Sequence, residues 1–217
     1  MVTADSFVTE LDAKNHASIE RLIGTLVSGA AKEAFEVPDV MRLILKASIE
    51  AAEIAALWLT DCDDLEMKLL LAEQCGDGAK HYRAISARLA ALGADVAGYD
   101  PRHGGYSKVF AFLRSLQTQE ERSSAGHATA KALSMARLEA MATFCESKGD
   151  AETARLFREE LSVDERRYYE EGKRMLAIAA STEESQARAR RAAYRTLELG
   201  ADMHEPIQLR KILLKRR

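Results

Sequence analysis

Proline is nearly missing from this chain: Pro38, Pro101 and Pro206 are the three in 217 residues. Long stretches without proline or tight-turn dipeptides leave little room for a turn-rich fold and favour an all-helical one. Cysteine is equally sparse. Cys62, Cys75 and Cys145 are odd in number and form no Cys-x-x-Cys, so they read as reduced thiols of a cytoplasmic protein. Neither sign of charge dominates: 31 basic against 34 acidic residues gives a net charge of −3. A nucleic-acid partner, which calls for a basic excess, is not expected. No apolar run is long enough to span a membrane, because Glu50 and Glu53 interrupt the best one. The opening Met1-Val2-Thr3-Ala4-Asp5-Ser6 lacks the basic and apolar regions of a secretory signal. What is plentiful is apolar side chain, 47% of residues, enough for one compact domain with a sizeable core.

The apolar residues recur at helical spacing. A first helical region covers about 7–34, with Leu11, Ile19, Leu22, Ile23 and Leu26 on one face and a lone His16 without a role. Pro38 suits the first turn of a second helix that runs to about Thr60. Asp61-Cys62-Asp63-Asp64 is a capping turn, and the next helix reaches about Leu92, with Gly93 as its stop. Residues 93–105 are the longest irregular stretch and hold His103, expected to be a solvated loop histidine. Helix resumes near Ser107. The polar run Gln117 to Gly126 is either exposed helix or a kink. After a turn at Ser147-Lys148-Gly149-Asp150, a helix covers about 151–180. A last one covers Thr182 to Leu199, ended by Gly200, and a basic tail with Arg210, Lys211, Lys215, Arg216 and Arg217 follows. This divides the chain into an extension (1–37), a central unit (38–180) and a C-terminal helix with tail (181–217), in a single domain.

Two apolar seams carry polar groups. Phe157, Leu161, Glu165, Tyr168, Gly172, Leu176 and Ala179 follow one another at spacings of three or four, and so do Leu71, Gln74, Gly78, His81, Ile85, Leu89 and Leu92. A carboxylate on such a seam needs a partner, and a metal ion is one candidate. The seams belong to an internal repeat. Glu53 precedes Asp77 as Glu139 precedes Asp164, with one extra residue assigned to the second turn. Asp63 then faces Asp150, and His81-Tyr82 faces Tyr168-Tyr169. Each half is a helical hairpin, and two such hairpins make a four-helix bundle.

In these residues the chain resembles the ferritin-like superfamily of carboxylate-bridged two-metal proteins. The likeness covers about residues 38–180. In that family the first and third bundle helices each give a Glu, and the second and fourth each give Glu-x-x-His, often preceded by Asp. By position Glu53 and Glu139 match the two single Glu ligands. His81 matches the second-helix His, and Glu165 the fourth-helix Glu. Asp77 and Asp164 match the residues that orient the histidines. Gly78 stands where the second-helix Glu belongs, and Tyr168 where the fourth-helix His belongs.

The resemblance implies a metal-dependent oxidoreductase or hydroxylase, with one or two iron or manganese ions on Glu53, His81, Glu139 and Glu165. Tyr168 would be a phenolate ligand to ferric iron, and Gly78 an opening for substrate. The other reading is a metal-free ferritin-like protein that binds a ligand or supports a catalytic partner subunit. The residues have plainer roles too: a salt bridge to a buried arginine for Glu165, Arg137 or Lys131 as partner for Glu139, a hydrogen bond to Asp164 or Glu139 for His81, ring packing with one hydrogen bond for Tyr168, and close helix packing for Gly78. Arg42, Lys46, Glu50 and Glu53 form one helical stripe, as on a solvated face. The expected partners are a small-molecule substrate or ligand and a second copy of the chain as a homodimer, with no nucleic acid and no membrane.

Overall fold

A computed structural model describes residues 2–30, 35–94, 100–101 and 104–202, without the side chains of 25–30 and 202. The described residues are helical, with no strand among them. Helix α1 is Ala4–Ala30, α2 Val37–Thr60, α3 Leu65–Ala91 and α4 Lys108–Ser115. Helix α5 is continuous through Gln119–Arg122, Ser123–Thr129 and Ala130–Ser147, and α6 through Ala151–Arg155, Leu156–Leu161 and Ser162–Ala179. The middle segments of α5 and α6 are π-helical. Helix α7 is Glu183–Asp202. No helix among the described residues is long and apolar enough to cross a membrane. His103 and the tail beyond 202 lie outside the described residues.

Local chemistry sets the helix starts. Pro38 lies in the first turn of α2, where Glu36 and Asp39 form a reciprocal cap. Asp64 caps α3 by accepting from the Met67 amide at 2.8 Å, and Asp150 caps α6 from the Thr153 amide at 3.0 Å. Arg88, near the end of α3, reaches that second cap, 2.7 Å from Asp150. The repeat therefore pairs Asp64, not Asp63, with Asp150. The extra residue of the second half lies inside α6 rather than in the turn, because a π turn takes up one more residue than an α turn.

Apolar packing falls into layers. At one end α2, α3, α5 and α6 meet through Leu45, Leu89, Ala142 and Phe157. At the other end Trp58, Leu71, Phe110, Ala125 and Met175 join α2, α3, α4, α5 and α6. On the far side of α5 and α6, α1 and α7 are held by Phe7, Leu11, Ala128, Leu176 and Ala189.

Helix α5 differs most from its sequence expectation. Exposed helix or a kink was expected for Gln117 to Gly126; Gln117 is exposed, but Glu120 and all of Ser123 to Thr129 are buried. None of the residues from Ser123 to Thr129 is charged and all but His127 are small, so helices close on them from several sides. Ser124 Oγ donates to the Ala189 carbonyl at 2.8 Å, and Thr129 Oγ1 accepts from Asn15 at 2.9 Å. A Cβ on Gly126 would come within 2.3 Å of the Trp58 ring, and one on Gly172 within 2.2 Å of the His127 Cβ. Gly200 does not end the last helix. It lies inside α7, where a Cβ would meet Leu133 at 2.7 Å. Lys46 and Glu50 are not on a solvated face either, their side chains being 13% and 14% exposed.

These contacts separate the glycines by function. Gly126→Ala and Gly172→Ala should each lower stability in urea melts, by about 1–3 kcal/mol, through overpacking. Gly76→Ala, in the middle of α3 with nothing within 4 Å of a new Cβ, should raise it by about 0.4–1 kcal/mol. Equal responses at the three positions would contradict the packing described.

Candidate functional site

The seams face each other across a cavity of about 160 Å³. Its apolar wall includes Ile54, Trp58, Phe110, Leu113 and Leu138, and its polar wall Asp77, His81, Lys131, Glu165 and Tyr168. Exposed Ala47 and half-buried Glu50, Ser107 and Val109 mark an edge between α2 and the start of α4, and Ala51, Asp77, Ala130, Ser134 and Arg137 are half-buried as well. That edge is tied down: Glu50 accepts from the Ser107 amide at 2.8 Å and from its hydroxyl at 2.6 Å, and Lys46 bonds the Gly105 carbonyl. Gly104 and Gly105 have φ of 86° and 80°, a backbone that favours glycine.

Lys131 and Glu165 are the charged centre. They are 5% and 9% exposed, and Nζ lies 2.8 Å from Oε1. The ammonium also lies 5.2 Å from the centre of the Tyr168 ring. Beside them, α3 and α6 exchange two hydrogen bonds in a reciprocal pattern. His81 Nε2 donates to Asp164 at 2.9 Å, and the Tyr168 hydroxyl donates to Asp77 at 2.6 Å. Positions four apart on one helix thus bond positions four apart on the other, as a local twofold axis requires. Burial raises the Asp164 carboxyl, but hydrogen bonds from His81 and Lys80 outweigh it and hold it below the usual carboxylate range. Burial, and then the bond to Asp77, push the Tyr168 phenol well above its ordinary value.

A metal-ligand set is not assembled here. Among the described residues no three of His, Cys, Asp and Glu are grouped to hold a metal ion. Glu139 is exposed, 2.7 Å from Arg158 on the outer face of α5 and α6, against the burial expected from its apolar neighbours. Glu53 is half-buried and is not part of the cavity wall. Glu165 is inside, but its carboxylate is bonded to Lys131. The ion-pair partner is thus a lysine rather than an arginine. Tyr168 donates its proton to Asp77, the opposite of a phenolate ligand. Gly78 lines the cavity, but a Cβ there would lie 2.8 Å from the Ala52 Cβ and 3.0 Å from the Ser48 carbonyl oxygen, so the glycine lets α2 and α3 touch. These residues, as placed, do not fit iron or manganese. The family scan, the curated proteins and the solved structures contain no match to this chain.

Trp58 and His127 were not singled out from the sequence, and Arg137 was weighed only as a partner for Glu139. Trp58 lines the cavity. Arg137 also lines it, bonds the Gly200 carbonyl at 3.4 Å, and is lowered by burial to about 10, so it stays cationic. His127 donates from Nε2 to Gln74 Oε1 at 3.2 Å. The signal for His127 and Lys131 is the run of small residues around them, which admits them to the interior.

Burial, and then the Lys131 charge, lower His127 to about 3 from an ordinary 6.5. The unfolded chain takes up this proton below pH 6.5 and the folded chain does not, so stability falls as pH drops from there toward 3. Between pH 6.5 and 5 the loss is about 2 kcal/mol. Urea melts across this range should show it, and His127→Asn should remove most of this slope. An unchanged slope in the variant would assign the pH dependence to other groups.

Proposed function

We propose that the chain is a ferritin-like four-helix bundle that has lost its metal and binds a small molecule at its centre. In this arrangement α2 with α3 and α5 with α6 are the two hairpins, and α1 and α7 are additions. The matched caps of α3 and α6 and the reciprocal His81–Asp164 and Tyr168–Asp77 bonds support a twofold relation between the hairpins. One observation carries the functional reading: the Lys131 ammonium lies 2.8 Å from Glu165, inside a cavity large enough for a ligand. The carboxylate that the resemblance would give to a metal already has its cation. A fixed ammonium neutralises Glu165 without offering coordination sites, which leaves a polar wall for binding and no redox centre.

The metal-dependent oxidoreductase reading needs Lys131 displaced and Glu139 brought in from the far face of α5. Protein purified without chelator should therefore contain far less than one equivalent of iron or manganese per chain. Added Fe²⁺ or Mn²⁺ should leave the melting temperature unchanged, since a ligand that does not bind the folded state does not stabilise it. Stoichiometric metal, or a rise of several degrees, would overturn the metal-free reading. Gly78→Glu with Tyr168→His, which restores both family motifs on paper, should destabilise the protein, because position 78 has no room for a side chain.

A further inference from the structure

We propose that the cavity takes a compact, uncharged amphiphile: an alicyclic or aromatic ring bearing one hydroxyl or carboxamide. This rests on the reading of the cavity as a binding site and adds the chemical class of its ligand. Size comes first. At about 160 Å³ the cavity is close to the buried hole of about 150 Å³ that accepts benzene in another protein. A ring with a single substituent is the scale of molecule it holds. Shape and polarity come next. Ile54, Trp58, Phe110 and Leu113 offer an apolar lining for the ring, with the polar wall opposite.

The head group follows from hydrogen-bond capacity. An ammonium has three donors, and Lys131 uses one of them on Glu165. Glu165 receives that bond on Oε1, and its second oxygen keeps acceptor capacity. A head that accepts from Lys131 and donates to Glu165 serves both, and hydroxyl and carboxamide groups do this without carrying charge. Charge balance argues the same way. Glu165 is neutralised by Lys131. Asp77 lies 2.7 Å from Arg167, and Glu50 lies 3.8 Å from Lys46. An anionic or cationic ligand would add a net charge beside carboxylates that already have their cations. Arg137 is the group that could favour an anion, and the test includes one for that reason.

Trp58 is the single tryptophan of the chain and lines the cavity, so its fluorescence reports occupancy directly. Cyclohexanol, cyclohexanecarboxylate and cyclohexylammonium absorb little and differ only in the head. Cyclohexanol should shift Trp58 emission saturably and bind at least about tenfold more tightly than either ion. Ser134→Leu, which fills the cavity from α5, should abolish the response. The double variant Lys131→Met/Glu165→Met replaces the pair by side chains of similar volume. It should still fold, and should bind cyclohexanol no better than methylcyclohexane. Tighter binding of the carboxylate or the ammonium would overturn the ligand class while leaving the metal-free binding reading intact. No saturable response to any of the probes, with metal present in the purified protein, would overturn both. No response with no metal present would overturn the ligand class alone.

Discussion

An ammonium and a carboxylate meet 2.8 Å apart in the middle of this molecule, and both residues are buried. Taking either charge out of water alone costs several kcal/mol, about 3–5 when a buried partner is simply removed. Together they are tolerable, and each fixes where the other must be. Lys131 is on α5 and Glu165 on α6, so the pair sets the register of these two helices. The hydrogen bonds His81–Asp164 and Tyr168–Asp77 pass that constraint from α6 to α3.

Small residues let the remaining helices follow. Gly126 admits the Trp58 ring from α2, Gly172 admits His127, and Gly78 brings α3 against Ala52. The π segment Ser123–Thr129 lies where these approaches converge. Its wider turns place His127 against Gln74 on one side and Thr129 against Asn15 on another. The apolar layers close at both ends, whereas the level of the ion pair does not close fully. Charged groups that must bond one another in fixed positions cannot collapse into space as methyl groups can, and a cavity persists beside them.

Much of this was legible in the sequence. Helical periodicity, the acidic turn that caps α3 and the polar members of both seams are local patterns. Gln74, Gly78, His81, Glu165 and Tyr168 are all buried, as the spacing required. Partners were less legible. Glu139 has apolar neighbours in sequence but turns outward to Arg158, and nothing local distinguishes those two orientations. Lys46 and Glu50 looked like a solvated pair, because the segment that covers them is distant in the chain. The π turns were invisible as such: one extra residue in α6 looked like a longer loop. The run from Gln117 to Gly126 looked like exposed helix or a kink because it is polar, whereas the small size of Ser123 to Gly126 is what made that part core.

The central claim is that Lys131 and Glu165 act as one unit, with the ammonium as the resident cation of the carboxylate. A double-mutant cycle on unfolding free energy tests it most directly. Lys131→Met and Glu165→Met should each cost about 3–5 kcal/mol, because each leaves a buried charge unpaired. The double variant should lie within about 1 kcal/mol of the parent, since well-packed apolar groups replace a buried pair at little cost. Additive losses, with the double variant as unstable as the sum of the singles, would contradict the account.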